Sequence, residues 1–85
     1  MNVAHVGTTK MESRNIRLLA VNSSSIAAVG YDPHAQVLAV RFHNGAEYRY
    51  RTVPKQVFDD LLAAPSIGLY YHENVRNVGF LYDRC

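Results

Sequence analysis

The sequence predicts an α+β fold: a three-stranded antiparallel meander sheet followed by two short helices packed on one of its faces. Three observations carry this reading. Two alternating runs flank His43-Asn44-Gly45, a turn cluster around Pro33 lies one strand earlier, and two amphipathic stretches follow, opened by Pro54 and Ser66.

The run at residues 37–54, VLAVRFHNGAEYRYRTVP, holds the clearest hairpin. Asn-Gly between alternating apolar runs ordinarily signals a two-residue type I′ turn. That loop would set Phe42 against Glu47 and Val40 against Arg49, mixing apolar and charged side chains on one face. A three-residue loop, His43-Asn44-Gly45, instead opposes Val40 to Tyr48 and Leu38 to Tyr50. It also sets Arg41 against Glu47, and Gly45 supplies the left-handed residue of a G1 bulge.

Upstream, Ile26–Asp32 reads as the first strand and Pro33 suits position i+1 of a type I turn. A four-residue loop over 33–36 opposes Tyr31 to Leu38 and Val29 to Val40. One face then carries Ala27, Val29, Tyr31, Leu38, Val40, Phe42, Tyr48 and Tyr50. The other carries Ile26, Ala28, Gly30, Ala39, Arg41, Glu47, Arg49 and Arg51. The first is the expected core face. Residues 15–22 offer a weak leading strand.

Pro54 fits the first position of a helix over 54–63, where its missing N–H costs nothing. Val57, Phe58, Leu61 and Leu62 form its apolar stripe. Pro65 ends it, and Ser66 is a candidate N-cap for a second helix with Ile67, Tyr71 and Val75 inward. Asn74 to Gly79 should break that helix, leaving Phe80-Leu81-Tyr82 as a tail or edge strand.

Length and composition bound the rest. Eighty-five residues with 48% hydrophobic and 19% charged content make one small globular domain. Residues 15–85 are expected to form it, and residues 1–14, which hold no sustained period, to be a mobile segment. No apolar run approaches the ~20 residues that span a bilayer, and residues 16–21 are too short and too broken by Arg17 for a signal peptide. The lone Cys85 excludes an intramolecular disulfide and fits a reducing cytoplasm. The net charge of +2 permits an anionic partner without requiring one.

Catalytic constellations are missing from the pattern. His5, His34, His43 and His72 are scattered without metal-ligand spacing, so no metal is expected. Cys85 has no base beside it, and adjacent Asp59 and Asp60 point about 100° apart on a helix. No phosphate-cradling glycine loop occurs. The chain is read as a non-enzyme without a cofactor.

Tyr48-Arg49-Tyr50, together with Ser24 to Ile26, Gly30 to Asp32, Val53-Pro54 and Ser66 to Tyr70, resembles the KTSC domain. That family occurs at the C-terminus of some lysyl-tRNA synthetases and as free-standing bacterial proteins, with the Tyr-x-Tyr pair as its hallmark. The resemblance covers about residues 21–75. It implies RNA or tRNA as a partner and brings no catalytic residues.

Parity makes Tyr48 and Tyr50 core residues rather than stacking platforms for bases. Arg41, Arg49 and Arg51 line the outer face, with Lys55 following at the helix start. Glu47 should offset Arg41, leaving Arg49, Arg51 and Lys55 to hold phosphates. The same outer face has a flat apolar corner of Ile26, Ala28, Gly30 and Ala39. Either the chain's own segments cover it or another surface docks there. Two functional readings follow: a small RNA-binding module using the arginine strip, or a protein-interaction or self-association module using the flat corner.

If Gly45 holds a positive φ, Gly45→Val should cost about 1–2 kcal/mol or more, because a β-branched side chain is disfavoured there. Thermal unfolding should show a midpoint several degrees lower. An unchanged midpoint would remove the left-handed residue from this turn.

Overall fold

Residues 16–85 are described by the computed structural model; the segment expected to be mobile, residues 1–14, lies outside them. The strands are β1 (Leu19–Ala20), β2 (Ile26–Asp32), β3 (Val37–Phe42), β4 (Glu47–Tyr50) and β5 (Tyr82–Arg84). They form one antiparallel sheet in chain order, β1 to β5. The sheet therefore has five strands, not three. β1 and β5 span two and three residues, too few for an alternating pattern to register.

The central hairpin has the three-residue loop. Val40 pairs with Tyr48, Leu38 with Tyr50 and Arg41 with Glu47. Phe42 N–H donates to the Ala46 carbonyl over 2.8 Å, Gly45 N–H donates to the Phe42 carbonyl, and Gly45 holds φ +93°. In the preceding hairpin Tyr31 faces Leu38 and Val29 faces Val40, as parity requires. Asp32 Oδ1 accepts from the N–H groups of His34 and Ala35, which folds the turn.

One face assignment is corrected. Ile26 pairs with Phe42 and Ala28 with Arg41, so the register shifts by one residue between them. This β-bulge at Ala27 reverses the parity of everything before it. Ile26 thereby turns into the core, fully buried, instead of onto the outer face.

Helix α1 is Lys55–Ala63, with Pro54 in extended conformation as its N-cap rather than inside it. Leu61 is buried and Val57 and Phe58 pack against the core, whereas Leu62 is 40% exposed and outside the stripe. Helix α2 is Ile67–Tyr71, and the Ser66 hydroxyl accepts from Leu69 N–H as its cap. The helical path then continues where a break was expected, as a π-turn over His72–Arg76 closed by Asn77 N–H on the His72 carbonyl. Both helices lie on the same side of the sheet, and Ile26, Leu38, Leu61, Val29, Val40, Val53 and Val75 are fully enclosed between the layers. Each such side chain contributes roughly 1.5–3 kcal/mol through burial.

Strain collects at one junction. Thr52, a β-branched residue, holds φ +57° and Gln36 holds φ +58°. The Gln36 carbonyl accepts from Val53 N–H, and the Tyr31 hydroxyl donates to the Val53 carbonyl. These bonds tie the β2–β3 turn to the β4–α1 connection and hold a conformation costing roughly 1–3 kcal/mol.

The flat outer corner is covered by the chain itself. Ile16 is buried against Val37 and Ala39, with Leu18 beside them. A side chain on Gly30 would collide with the Arg17 carbonyl oxygen and stand 2.8 Å from Ile16 Cγ2. The corner is thus not an open docking surface, and the interaction reading that rested on it loses its site. Gly30→Ala should cost about 1–3 kcal/mol by lifting residues 16–18 off the sheet. Chemical denaturation checks the loss, and amide shifts at Arg17 and Ala39 should report the displaced segment.

Candidate functional site

The tyrosine pair does not end in a closed core. On the helix-covered face, Phe42 of β3 and Tyr48 and Tyr50 of β4 form one side of a cleft, with Tyr71 of α2 beside them. Arg76, Gly79, Phe80 and Tyr82 form the other side, all from the chain after α2. The open cleft measures about 380 Å³, within the range of small-ligand sites.

The aromatic rings touch one another around this space. Phe42 meets Tyr48 edge-on at 5.9 Å and Tyr71 at 5.4 Å, while Tyr82 meets Tyr48 at 5.7 Å and Tyr50 at 5.5 Å. Such edge and tilted contacts are the favoured geometries of aromatic pairs. Tyr50 and Tyr71 share a short hydrogen bond between their hydroxyls. Burial, reinforced by that bond, pushes the Tyr50 phenol well above its ordinary pKa, so it stays protonated at any physiological pH.

Charge enters from one side only. Arg76 is the single charged residue in the lining, carried there by the π-turn. Arg84 holds its guanidinium 5.8 Å from the centroid of the Tyr48 ring, a cation–π distance. Among the described residues neither arginine makes a salt bridge. An aromatic box that holds an ammonium group needs no cation in its wall, so this lining disfavours a cationic ligand. Planar neutral or anionic groups fit it.

The basic residues expected from the sequence lie elsewhere. Arg41 and Arg49 both bind Glu47 on the outer face, at 2.9 and 2.8 Å. Arg51 is engaged by Asp83 at 2.7 Å, and Lys55 by Asp59 at 3.0 Å. The three expected to be available, Arg49, Arg51 and Lys55, thus each have an acidic partner. The sequence offers Phe80-Leu81-Tyr82 as a tail or edge strand, but the strand lies at Tyr82–Arg84 beside β4, and only that pairing brings Asp83 to Arg51. Tyr50 is buried as expected, and Tyr48 is half-buried at the cleft. Sequence reasoning missed Tyr71, Phe80, Tyr82, Arg76 and Arg84 as site residues. The alternation of Phe80 and Tyr82 was a readable signal; the placement of Arg76 by a π-turn was not.

Glu47 is the buried acid of the outer face, and Arg49 is mostly buried beside it. Burial works to raise the Glu47 pKa, but hydrogen bonds from Arg49 and Arg41 outweigh it and hold the carboxyl below its ordinary value. No three His, Cys, Asp or Glu side chains among the described residues come together as metal ligands. No helix among them is long and apolar enough to cross a membrane.

The KTSC domain family matches residues 22–80, most of the chain. The chain belongs to the KTSC domain family. A protein of Tsukamurella paurometabola is 55% identical over 56 residues, covering 66% of this chain and 84% of that one. A crystal structure of a KTSC domain protein from Yersinia pestis superposes with a TM-score of 0.74 at 30% identity, covering 82% of this chain and 97% of that one. A lysine–tRNA ligase of a Nostoc species is 39% identical over 67 residues, which are 79% of this chain and 12% of the ligase. The KTSC unit thus stands almost alone in two of these proteins and is a small part of the third.

Because the folded-state pKa of Glu47 is lowered, its ion pairs stabilise the KTSC fold above the ordinary carboxylate range and fade as pH falls through that lowered value. Glu47→Gln should cost about 2–3 kcal/mol at neutral pH, leaving the Arg49 charge buried without its counterion. Urea denaturation across pH should show the gap between parent and variant closing in acid.

Proposed function

We propose that this KTSC protein is a non-catalytic module for unpaired RNA, taking a base into the aromatic cleft with Arg76 and Arg84 at its rim. The observation that carries the reading is the cleft itself: an open space walled by six aromatic rings, with arginine as its only charge. Unpaired bases are held by stacking on aromatic side chains with arginine on the backbone. The kinship with a region of lysine–tRNA ligases supports RNA, tRNA included, as the class of partner.

On this reading Arg41, Arg49 and Arg51 are secondary. They lie on the opposite face of the sheet from the cleft, and each is already engaged by a carboxylate. Lys55 is likewise engaged by Asp59. Two phosphates neutralised by Arg76 and Arg84 imply a log–log salt slope near −1.4 for a single strand, so a fourfold rise in salt weakens binding about sevenfold.

The chain has six tyrosines and no tryptophan, and four of the tyrosines line the cleft. Intrinsic tyrosine fluorescence therefore reads the site directly. A short unstructured RNA should quench it in low salt. Tyr82→Ala should weaken binding roughly 5- to 150-fold, the range for one lost stacking contact. Arg76→Ala should flatten the salt slope. No binding by the parent in low salt, or parent-like binding by Tyr82→Ala, would overturn the reading.

A further inference from the structure

Three of the eight residues lining the cleft, Gly79, Phe80 and Tyr82, belong to the last stretch of chain, and that stretch is held differently from the other wall. β5 is an edge strand whose three residues are all exposed, and Leu81 before it is 72% exposed. Its attachment combines backbone pairing and an ion pair with the contacts of Tyr82 and Arg84 on the β4 tyrosines. Tyr82, Asp83 and Arg84 pair with Tyr50, Arg49 and Tyr48. Arg51 N–H donates to the Leu81 carbonyl over 2.7 Å, Cys85 N–H donates to the Glu47 carbonyl, and Asp83 takes Arg51 in a forked bridge. Gly79, at φ +96°, turns the chain into this stretch. Segments with few buried contacts and exposed hydrogen bonds occupy the low end of local stability.

Resting on the RNA reading above, we infer that β5 is a ligand-coupled wall of the site. The strand docks most firmly when a base lies in the cleft against Tyr82, whose ring meets those of Tyr48 and Tyr50, and the base binds only when the strand is docked. Linkage makes the two effects equal: whatever free energy the base contributes to docking, docking contributes to affinity. The residue that reports this is Asp83. It does not line the cleft, and its carboxylate points to the outer face with Arg51.

Asp83 also gives a test in which two explanations predict opposite signs. Removing an acid from a protein that binds a polyanion should strengthen binding if only overall charge matters. If docking matters, Asp83→Ala should weaken it, by about two- to fivefold, the most that an exposed ion pair is worth. Asp83→Pro should weaken it further, because the ladder pattern aims the Asp83 N–H at the Arg49 carbonyl and proline has no N–H.

The experiment measures affinity for a short single-stranded RNA by tyrosine fluorescence, with amide exchange on the full chain. The expected result is weaker binding in the order parent, Asp83→Ala, Asp83→Pro, with RNA slowing exchange at residues 82–84 of the parent. Equal or tighter binding by both variants, or exchange at residues 82–84 that RNA does not slow, would overturn the coupled wall and leave the RNA reading standing. Absence of RNA binding by the parent would overturn both.

Discussion

Gly45 closes the β3–β4 turn with φ +93°, and the three-residue loop it permits decides which residues of β4 face the helices. With one residue fewer in that loop, Glu47 and Arg49 would share a face with Val40 and Phe42, and Tyr48 and Tyr50 would turn outward. In the observed register the tyrosines reach the cleft, while Glu47 and its two arginines gather on the outer face. Both distinctive features of the protein, an aromatic cleft and a buried ion cluster, are two sides of one four-residue strand. A side-chain period of two makes them inseparable.

The parts of the fold legible in the sequence are those in which a pattern runs long enough to exclude its alternative. β2, β3 and β4 carry alternation over four to seven residues, and charge pairing across the turn discriminates between loop lengths. The caps at Pro54 and Ser66 bracket the helices because their backbone roles are local. The misplaced residue, Ile26, lies beyond a bulge. A bulge adds one residue without any mark in the composition, so parity counted through it points the wrong way. The covering of Gly30 by the Arg17 backbone was open for a similar reason: a glycine opposite alanine admits either the chain's own segment or a partner, and only geometry separates them.

The site was legible in half. Tyr48 and Tyr50 stand out in the sequence, and parity correctly puts them on the helix side of the sheet. What parity cannot say is how far the helices reach. α1 lies against β2, where Phe58 stacks on Tyr31, and α2 brings Tyr71 onto Phe42 of β3. Neither helix element beyond Tyr71 places an aromatic ring over β4; that side is roofed by the chain that leads from Arg76 to Tyr82. The same omission accounts for the arginine strip. Without β5 there is no Asp83, and Arg51 looks available for phosphate when it is already bridged.

The chemistry of the lining follows from that incomplete roof. A surface that is half covered favours side chains with an apolar body and a polar tip, and tyrosine supplies both. Rings that line an open cleft have fewer protein contacts than rings in a packed core, and a ligand of matching shape supplies them. The Tyr50 and Tyr71 hydroxyls share one hydrogen bond, which leaves one O–H of the pair free to donate to a ligand or to water. A flat, unsaturated ligand with an acceptor at its edge would suit both the rings and that O–H. On the coupled-wall proposal the energy so recovered falls on an exposed edge of the sheet, the strand carrying Tyr82, and binding and local order become the same event.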